Sequence, residues 1–122
     1  MAGFTLALPM PPSVNSIWRT RRGKNGKPQY YLDPRYSAWK RHCDGVAMGS
    51  RNRVTGQYTV AIKLNSAKRN GDCDNRIKAV LDWLARTGMT PDDKHCNKAS
   101  AEWAECEHDC EVTVTPEGPA NV

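Results

Sequence analysis

The chain has 122 residues, 39% hydrophobic and 25% charged, which fits one globular domain and excludes the disordered and fibrous classes. Its 18 Lys and Arg against 13 Asp and Glu give a formal charge of +5, a balance that favours a polyanionic partner such as nucleic acid. No apolar run approaches the roughly 18 residues of a membrane span, the opening MAGFTLALPMPP lacks a basic leader region, and five cysteines follow no disulfide-framework spacing; the expectation is a cytoplasmic protein with reduced thiols and no membrane partner.

In chain order, Phe4–Leu8 alternates and stops at Pro9, as a strand running into a turn does. Pro11, Pro12, Ser13 and Asn15 read as rigid loop. Residues Arg19–Pro28 gather Arg19, Arg21, Arg22, Lys24 and Lys27 around Gly23 and Gly26, a basic loop expected to be mobile. Asp33 at an N-cap and Pro34 in the first turn start a helix whose apolar positions are Tyr36, Trp39, Cys43, Val46 and Ala47, closed by Gly49 and Ser50.

Tyr58, Val60, Ile62 and Leu64 then alternate with more polar residues, the pattern of a half-buried strand, and a polar loop follows over 65–73. From Asn75 a second helix presents Ile77, Val80, Leu81 and Leu84 as one stripe, with Asp74 where an N-cap is wanted, Arg86 in the last turn and Gly88 just beyond it. After the Pro91 turn, Lys94–Trp103 and Glu111–Thr115 read as two paired strands joined by a polar turn, and the residues after Thr115, Gly118–Val122 above all, as a frayed tail. The predicted order is β-α-β-α-β-β over a single domain, 1–122: an α/β (α+β) fold with a mixed sheet, small enough that a dimer sharing core is expected.

The most informative stretch is Asp72-Cys73-Asp74. In extended chain, residues two apart share a side, so both carboxylates would face one point, where their repulsion calls for a cation. Hard oxygen donors suit Mg²⁺ or Mn²⁺. The competing reading is an ordinary N-cap with a favourable dipole charge. A second acidic pair, Asp92-Asp93, follows the helix in what is otherwise an ordinary turn. Lys78 shares a helix face with Asp74 and either neutralises a phosphate or is solvated, and Asp82, four residues on, can pair with it.

The run Asp72-Cys73-Asp74-Asn75-Arg76-Ile77-Lys78, the apolar helix ending in Thr87-Gly88, and Pro91-Asp92-Asp93 together resemble the RusA family of Holliday-junction resolvases, whose pattern is D-x-D-N-x-x-K followed by a D-D pair. Leu8-Pro9-Met10-Pro11-Pro12-Ser13-Val14-Asn15 is similar to the family's opening L-P-x-P-P-S-x-N. The resemblance runs from about Phe4 to Thr115. It implies a RusA-like fold and a phage or prophage endodeoxyribonuclease that cuts four-way DNA junctions as a homodimer. It assigns Asp72, Asp74 and Asp93 as catalytic, Mg²⁺-holding carboxylates, with Mn²⁺ able to substitute, and Lys78 as the active-site lysine. The family's spacing selects Asp93 over Asp92. Arg19, Arg21, Arg22, Lys24, Lys27, Lys68, Arg69 and Arg76 are the candidate DNA contacts, although Asn70-Gly71 separates Lys68-Arg69 from Asp72 where the family has a run of arginines against its first aspartate.

Other readings stand beside this one. Cys96, Cys106, His108 and Cys110, with His95, suggest zinc by their spacing, but paired C-x₂-C knuckles are missing and free thiols are the simpler account. Trp18, Tyr30 and Tyr31 beside basic residues suit stacking on bases, with packing the favoured alternative, and Trp39, Trp83 and Trp103 suit packing or a dimer interface. A non-catalytic DNA-binding module would explain the charge but not three carboxylates facing phosphate, and a protein-interaction subunit explains neither.

Overall fold

Alternation along Tyr58–Asn65 sets the frame of the molecule: Tyr58, Val60, Ile62 and Leu64 are each no more than 1% exposed, while Ala61 and Lys63 between them face solvent. The computed structural model describes residues 3–13 and 18–117, apart from the side chains of Trp18, Arg19 and Leu32. Its elements are β1 (Phe4–Leu8), β2 (Trp18–Arg22), β3 (Pro28–Leu32), α1 (Pro34–Val46), β4 (Tyr58–Asn65), α2 (Ile77–Thr87), β5 (Cys96–Ala104) and β6 (Cys110–Pro116). One sheet has the order β1-β6-β4-β5, and β2 with β3 forms a separate two-stranded sheet. The four-stranded sheet is mixed, because β4 and β5 are parallel and the other neighbours antiparallel. No helix among the described residues is long and apolar enough to cross a membrane.

Both helices cover one face of this sheet. Trp39 of α1 meets Trp83 of α2 edge to face, with ring centroids 6.3 Å apart, over a single core that includes Leu64, Val80, Leu84, Val112 and Val114. The opposite face stays polar, and there Thr5 and Thr113 share a hydrogen bond of 3.1 Å across β1 and β6. Helix α1 starts as its sequence predicts: the Asp33 carboxylate accepts the Arg35 N–H at 2.8 Å, with Pro34 in the first turn. Of its predicted inward stripe, Tyr36, Trp39 and Cys43 are buried and Ala47 packs against the core at the helix end, whereas Val46 is 52% exposed.

The predicted pairing of the last two strands is corrected. β5 and β6 lie on either side of β4, and Asn65 ties down the segment that crosses between them, with its N–H on Asp109 O at 2.9 Å and its amide on Cys106 O at 3.3 Å. Burial explains the exchange. β6 presents Cys110, Val112 and Val114 fully buried and takes an interior place, whereas β5 has exposed Ser100 and Glu102 and suits an edge.

The expected mobile loop over Arg19–Pro28 is instead the β2–β3 hairpin, in register from Trp18↔Leu32 to Arg22↔Pro28. Its turn closes through Gly23 N–H to Lys27 O at 2.8 Å. Cross-strand pairing rather than burial holds it, since Thr20 to Tyr30 is exposed apart from half-buried Gly23. The element order is therefore β-β-β-α-β-α-β-β. The tail is corrected as well: Pro116 is still paired with Tyr58, and Glu117 N–H reaches Gln57 O at 2.8 Å, while 118–122 lie outside the described residues.

Candidate active site

The loop that leaves β4 carries the first two acids. Gly71 adopts a φ of +74°, which its missing side chain permits, and turns the chain outward into Asp72. Cys73 is helical (φ −74°, ψ −32°), so the extended geometry expected of Asp72-Cys73-Asp74 does not occur. The Cys73 thiol points inward and donates to Ala101 O on β5 at 3.4 Å, leaving both neighbouring carboxylates exposed. Neither Asp72 nor Asp74 has a partner among the described residues. Asp74 does not cap α2 either; it opens a 3₁₀ turn, Asp74–Arg76, and no side chain caps the helix that follows. The N-cap reading of the motif is thereby corrected.

Arg76 is not available for DNA. It is 3% exposed, and its guanidinium donates to Pro11 O and Asn70 O while lying 5.2 Å from the Trp103 ring centroid. Its Nε has no partner, and burial lowers its pKa. This side chain is a strut joining the proline segment after β1, the acidic loop and β5. One signal was legible: Arg76 precedes Val80 by four residues and Trp83 by seven, which places it on the buried stripe of the helix.

The second acidic pair lies at the start of β5. Asp92 accepts the Lys94 N–H at 3.1 Å and so holds the turn, while Asp93 opens the 3₁₀ turn Asp93–His95. Their carboxyls are close enough to interact directly. The Asp92 carboxylate holds Asp93 above its ordinary pKa, with burial and Asp82 adding and Lys78 opposing. Asp92 is held below its own, first by the Lys94 N–H and then by the Asp93 carboxyl. Lys78 pairs with Asp82 at 3.2 Å across one turn of α2 and remains 68% exposed.

Topology sets how these acids relate. Asp72 and Asp74 follow the end of β4, whereas Asp93 precedes the start of β5, where Cys96 pairs with Tyr58; in parallel strands these are opposite ends. The early turns of α2 narrow that separation, since Lys78 lies four residues after Asp74 and is felt electrostatically by Asp93. Among the described residues no three metal-ligating side chains are gathered closely enough to hold an ion. A closed cage is not needed for Mg²⁺, which keeps several waters and is held by one or two carboxylates together with substrate phosphates. Exposed, unengaged aspartates of this kind fit such an ion in charge and donor type.

The cations divide into two groups. Arg21, Arg22, Lys24 and Lys27 are exposed on the hairpin, with Arg21 lying 5.3 Å from the Tyr31 ring centroid; Arg19 is on β2, its side chain outside the described ones. Tyr30 is 69% exposed, against the expectation of packing, and the Trp18 side chain and Asn15 also lie outside what is described. Lys68 is paired with Asp109 at 2.7 Å, and Arg69 beside it is exposed. A zinc site on Cys96 and Cys110 is ruled out by register: they pair with Tyr58 and Leu64 at the two ends of β4, about 20 Å apart. Burial also raises both thiols, with Cys110 pushed up to about 12, whereas zinc needs thiolates.

These features define a basic α/β domain whose conspicuous acids surround one helix, a class suited to phosphate chemistry. A family model described as "Endodeoxyribonuclease RusA" matches residues 9–115, and the chain belongs to the RusA family. The "Crossover junction endodeoxyribonuclease rusA" of Enterobacteria phage HK97 is 29% identical to it over 97 residues, 77% of each chain.

Proposed function

We propose that this chain is a Mg²⁺-dependent endodeoxyribonuclease that resolves four-way DNA junctions as a homodimer, making paired, symmetric cuts. Support comes from family membership over 9–115, from the name of the phage relative, and from one observation above the rest: Asp72 and Asp74 are exposed and unengaged on a protein of charge +5. Acids kept free on a basic surface would repel DNA unless a cation stands between them. Asp72, Asp74 and Asp93 would hold that cation. When bound, Mg²⁺ supplies activation of water and neutralises charge on the phosphate.

The chain's own groups do the rest. Lys78 offers an exposed ammonium within electrostatic reach of Asp93, free to meet a non-bridging phosphate oxygen, and Asp82 fixes its direction. Hairpin cations bind the backbone without reading sequence. Hydrolysis adds one water across a P–O bond, leaving one phosphate end and one hydroxyl end. A twofold dimer would present two such sites to the two strands of a junction. The test is cleavage of junction, duplex and single-stranded DNA with and without Mg²⁺. Metal-dependent paired nicks in the junction are expected; binding without cutting would leave only a DNA-binding module.

Two further outcomes follow from this reading. Each phosphate contact contributes about 0.9 to the slope of log affinity against log salt, so Arg21→Ala with Arg22→Ala should flatten it by about 1.8. An unchanged slope would mean the hairpin faces away from DNA. Asp93 must be ionised to hold a cation, and Asp92 raises its pKa. Replacing Asp92 with Asn removes that repulsion, lowers the Asp93 pKa and should move the acid limb of the kcat/KM profile to lower pH. A shift to higher pH would contradict the coupling.

A further inference from the structure

The segment joining α1 to β4 carries Ser50-Arg51-Asn52-Arg53, residues with no part in the acidic site. With Gly88 and Met89 past the end of α2, they line an open cavity of about 400 Å³. Arg51 and Arg53 are both exposed, and neither guanidinium has a partner among the described residues. No carboxylate lines the cavity; the other lining residues are neutral. Arg86 nearby is already committed to Asp44 at 3.0 Å, so the free charge belongs to the two loop arginines.

The loop is held in place rather than trailing. Asn52 N–H donates to Ser50 Oγ at 3.3 Å, and Val54 N–H donates to Met89 O at 2.9 Å. The Tyr58 hydroxyl continues this attachment, donating to Pro91 O at 3.2 Å in the turn that carries Asp92 and Asp93. Gly88, at φ +85°, presents no side chain to the cavity, and a Cβ there would stand 3.5 Å from an Arg53 terminal nitrogen. Capping the α2 carbonyls would be the ordinary employment for an arginine at this place, yet Arg53 donates to none of them.

We propose that Arg51 and Arg53 form a second phosphate-binding subsite, taking the sugar-phosphate backbone of the strand whose scissile bond lies at Asp93. The inference rests on the nuclease reading above. Planar guanidinium forks match phosphate oxygens two at a time, and a cavity with two of them and no acid selects an anion. Reach sets the register: Met89 and Asp93 are four residues apart, so at most about 14 Å separates them. With the reach of the arginine and aspartate side chains added at the two ends, the bound phosphate lies within one helical turn, about ten nucleotides, of the cut.

The test uses the full chain with Arg51→Ala and Arg53→Ala together, in metal-free binding to junction and to duplex across a salt series. The slope of log affinity against log salt should fall by about 1.8 on both substrates, with the thermal midpoint unchanged. Ethylation interference should lose phosphates within one helical turn, about ten nucleotides, of the cleaved bond. A folded variant with an unchanged slope overturns the proposal, and interference lost only at remote phosphates overturns the placement. Should the double alanine variant fold poorly, R51Q/R53Q keeps the bulk without the charge and is read the same way. A wild-type protein that never cuts junctions, but whose duplex slope still depends on these arginines, would sink the nuclease reading and leave a phosphate subsite.

Discussion

Asp93→Asn is expected to lower junction cleavage by about three orders of magnitude while leaving junction binding intact or tighter. The substitution keeps the side chain's shape and removes a negative charge. Loss of a cation-holding carboxylate forfeits several kcal/mol of transition-state stabilisation, and each 1.36 kcal/mol is about tenfold in rate. Asp72→Asn and Asp74→Asn should behave alike, and the losses should not add if, as proposed above, the carboxylates act as one unit. Asp92→Asn is the internal control: its amide oxygen can still accept the Lys94 N–H, so the turn survives and cleavage remains substantial. Rates measured under saturating Mn²⁺ decide the matter. If Asp92→Asn proves the dead variant and Asp93→Asn the active one, the catalytic role moves by one residue.

Arg76→Leu is expected to destabilise the fold by about 3 kcal/mol, since it strips the donors from two carbonyls, Pro11 O and Asn70 O, and removes a cation from the Trp103 face. In a domain of this size that corresponds to a fall in Tm of roughly 10 °C. Arg76→Lys should recover part of it, because an ammonium reaches one carbonyl but lacks the fork. Salt dependence separates a strut from a DNA contact. Junction affinity of Arg76→Leu, measured below its Tm, should keep the wild-type slope; a slope lower by about 0.9 would place the guanidinium on a phosphate after all.

Local signals in the chain were read well, and signals that depend on distant partners were not. Asp33-Pro34 and Gly88 delimit their helices because a cap is decided by a few adjacent residues, and both occur where predicted. The place of β5 and β6 was illegible: each alternates acceptably, and only competition for the sheet interior sends Val112 and Val114 to the middle and Glu102 to the edge. The hairpin was missed because Arg21, Arg22, Gln29 and Tyr30 show no apolar alternation; their order comes from pairing across strands. At the acidic loop the residue types were legible, and the backbone was not. Cys73 combines helical angles with a thiol that donates to Ala101 O, a contact 28 residues away that no local pattern announces.

Among the described residues β1 pairs with no strand but β6, with Phe4 opposite Val114. During synthesis from the N-terminus, β1 has no strand to join until the residues of β6 have left the ribosome. The proline segment behind β1, whose carbonyls receive Trp39 and Arg76, has no anchored strand ahead of it until then. Pairings that close so much chain are slow to form, and refolding is expected on the order of milliseconds to seconds rather than microseconds. A nascent or truncated chain lacking 110–116 would therefore hold its acids on an unfinished sheet. The assembled acidic surface exists only once residues 110–116 have been made and paired, which delays any nuclease activity until the sheet has closed.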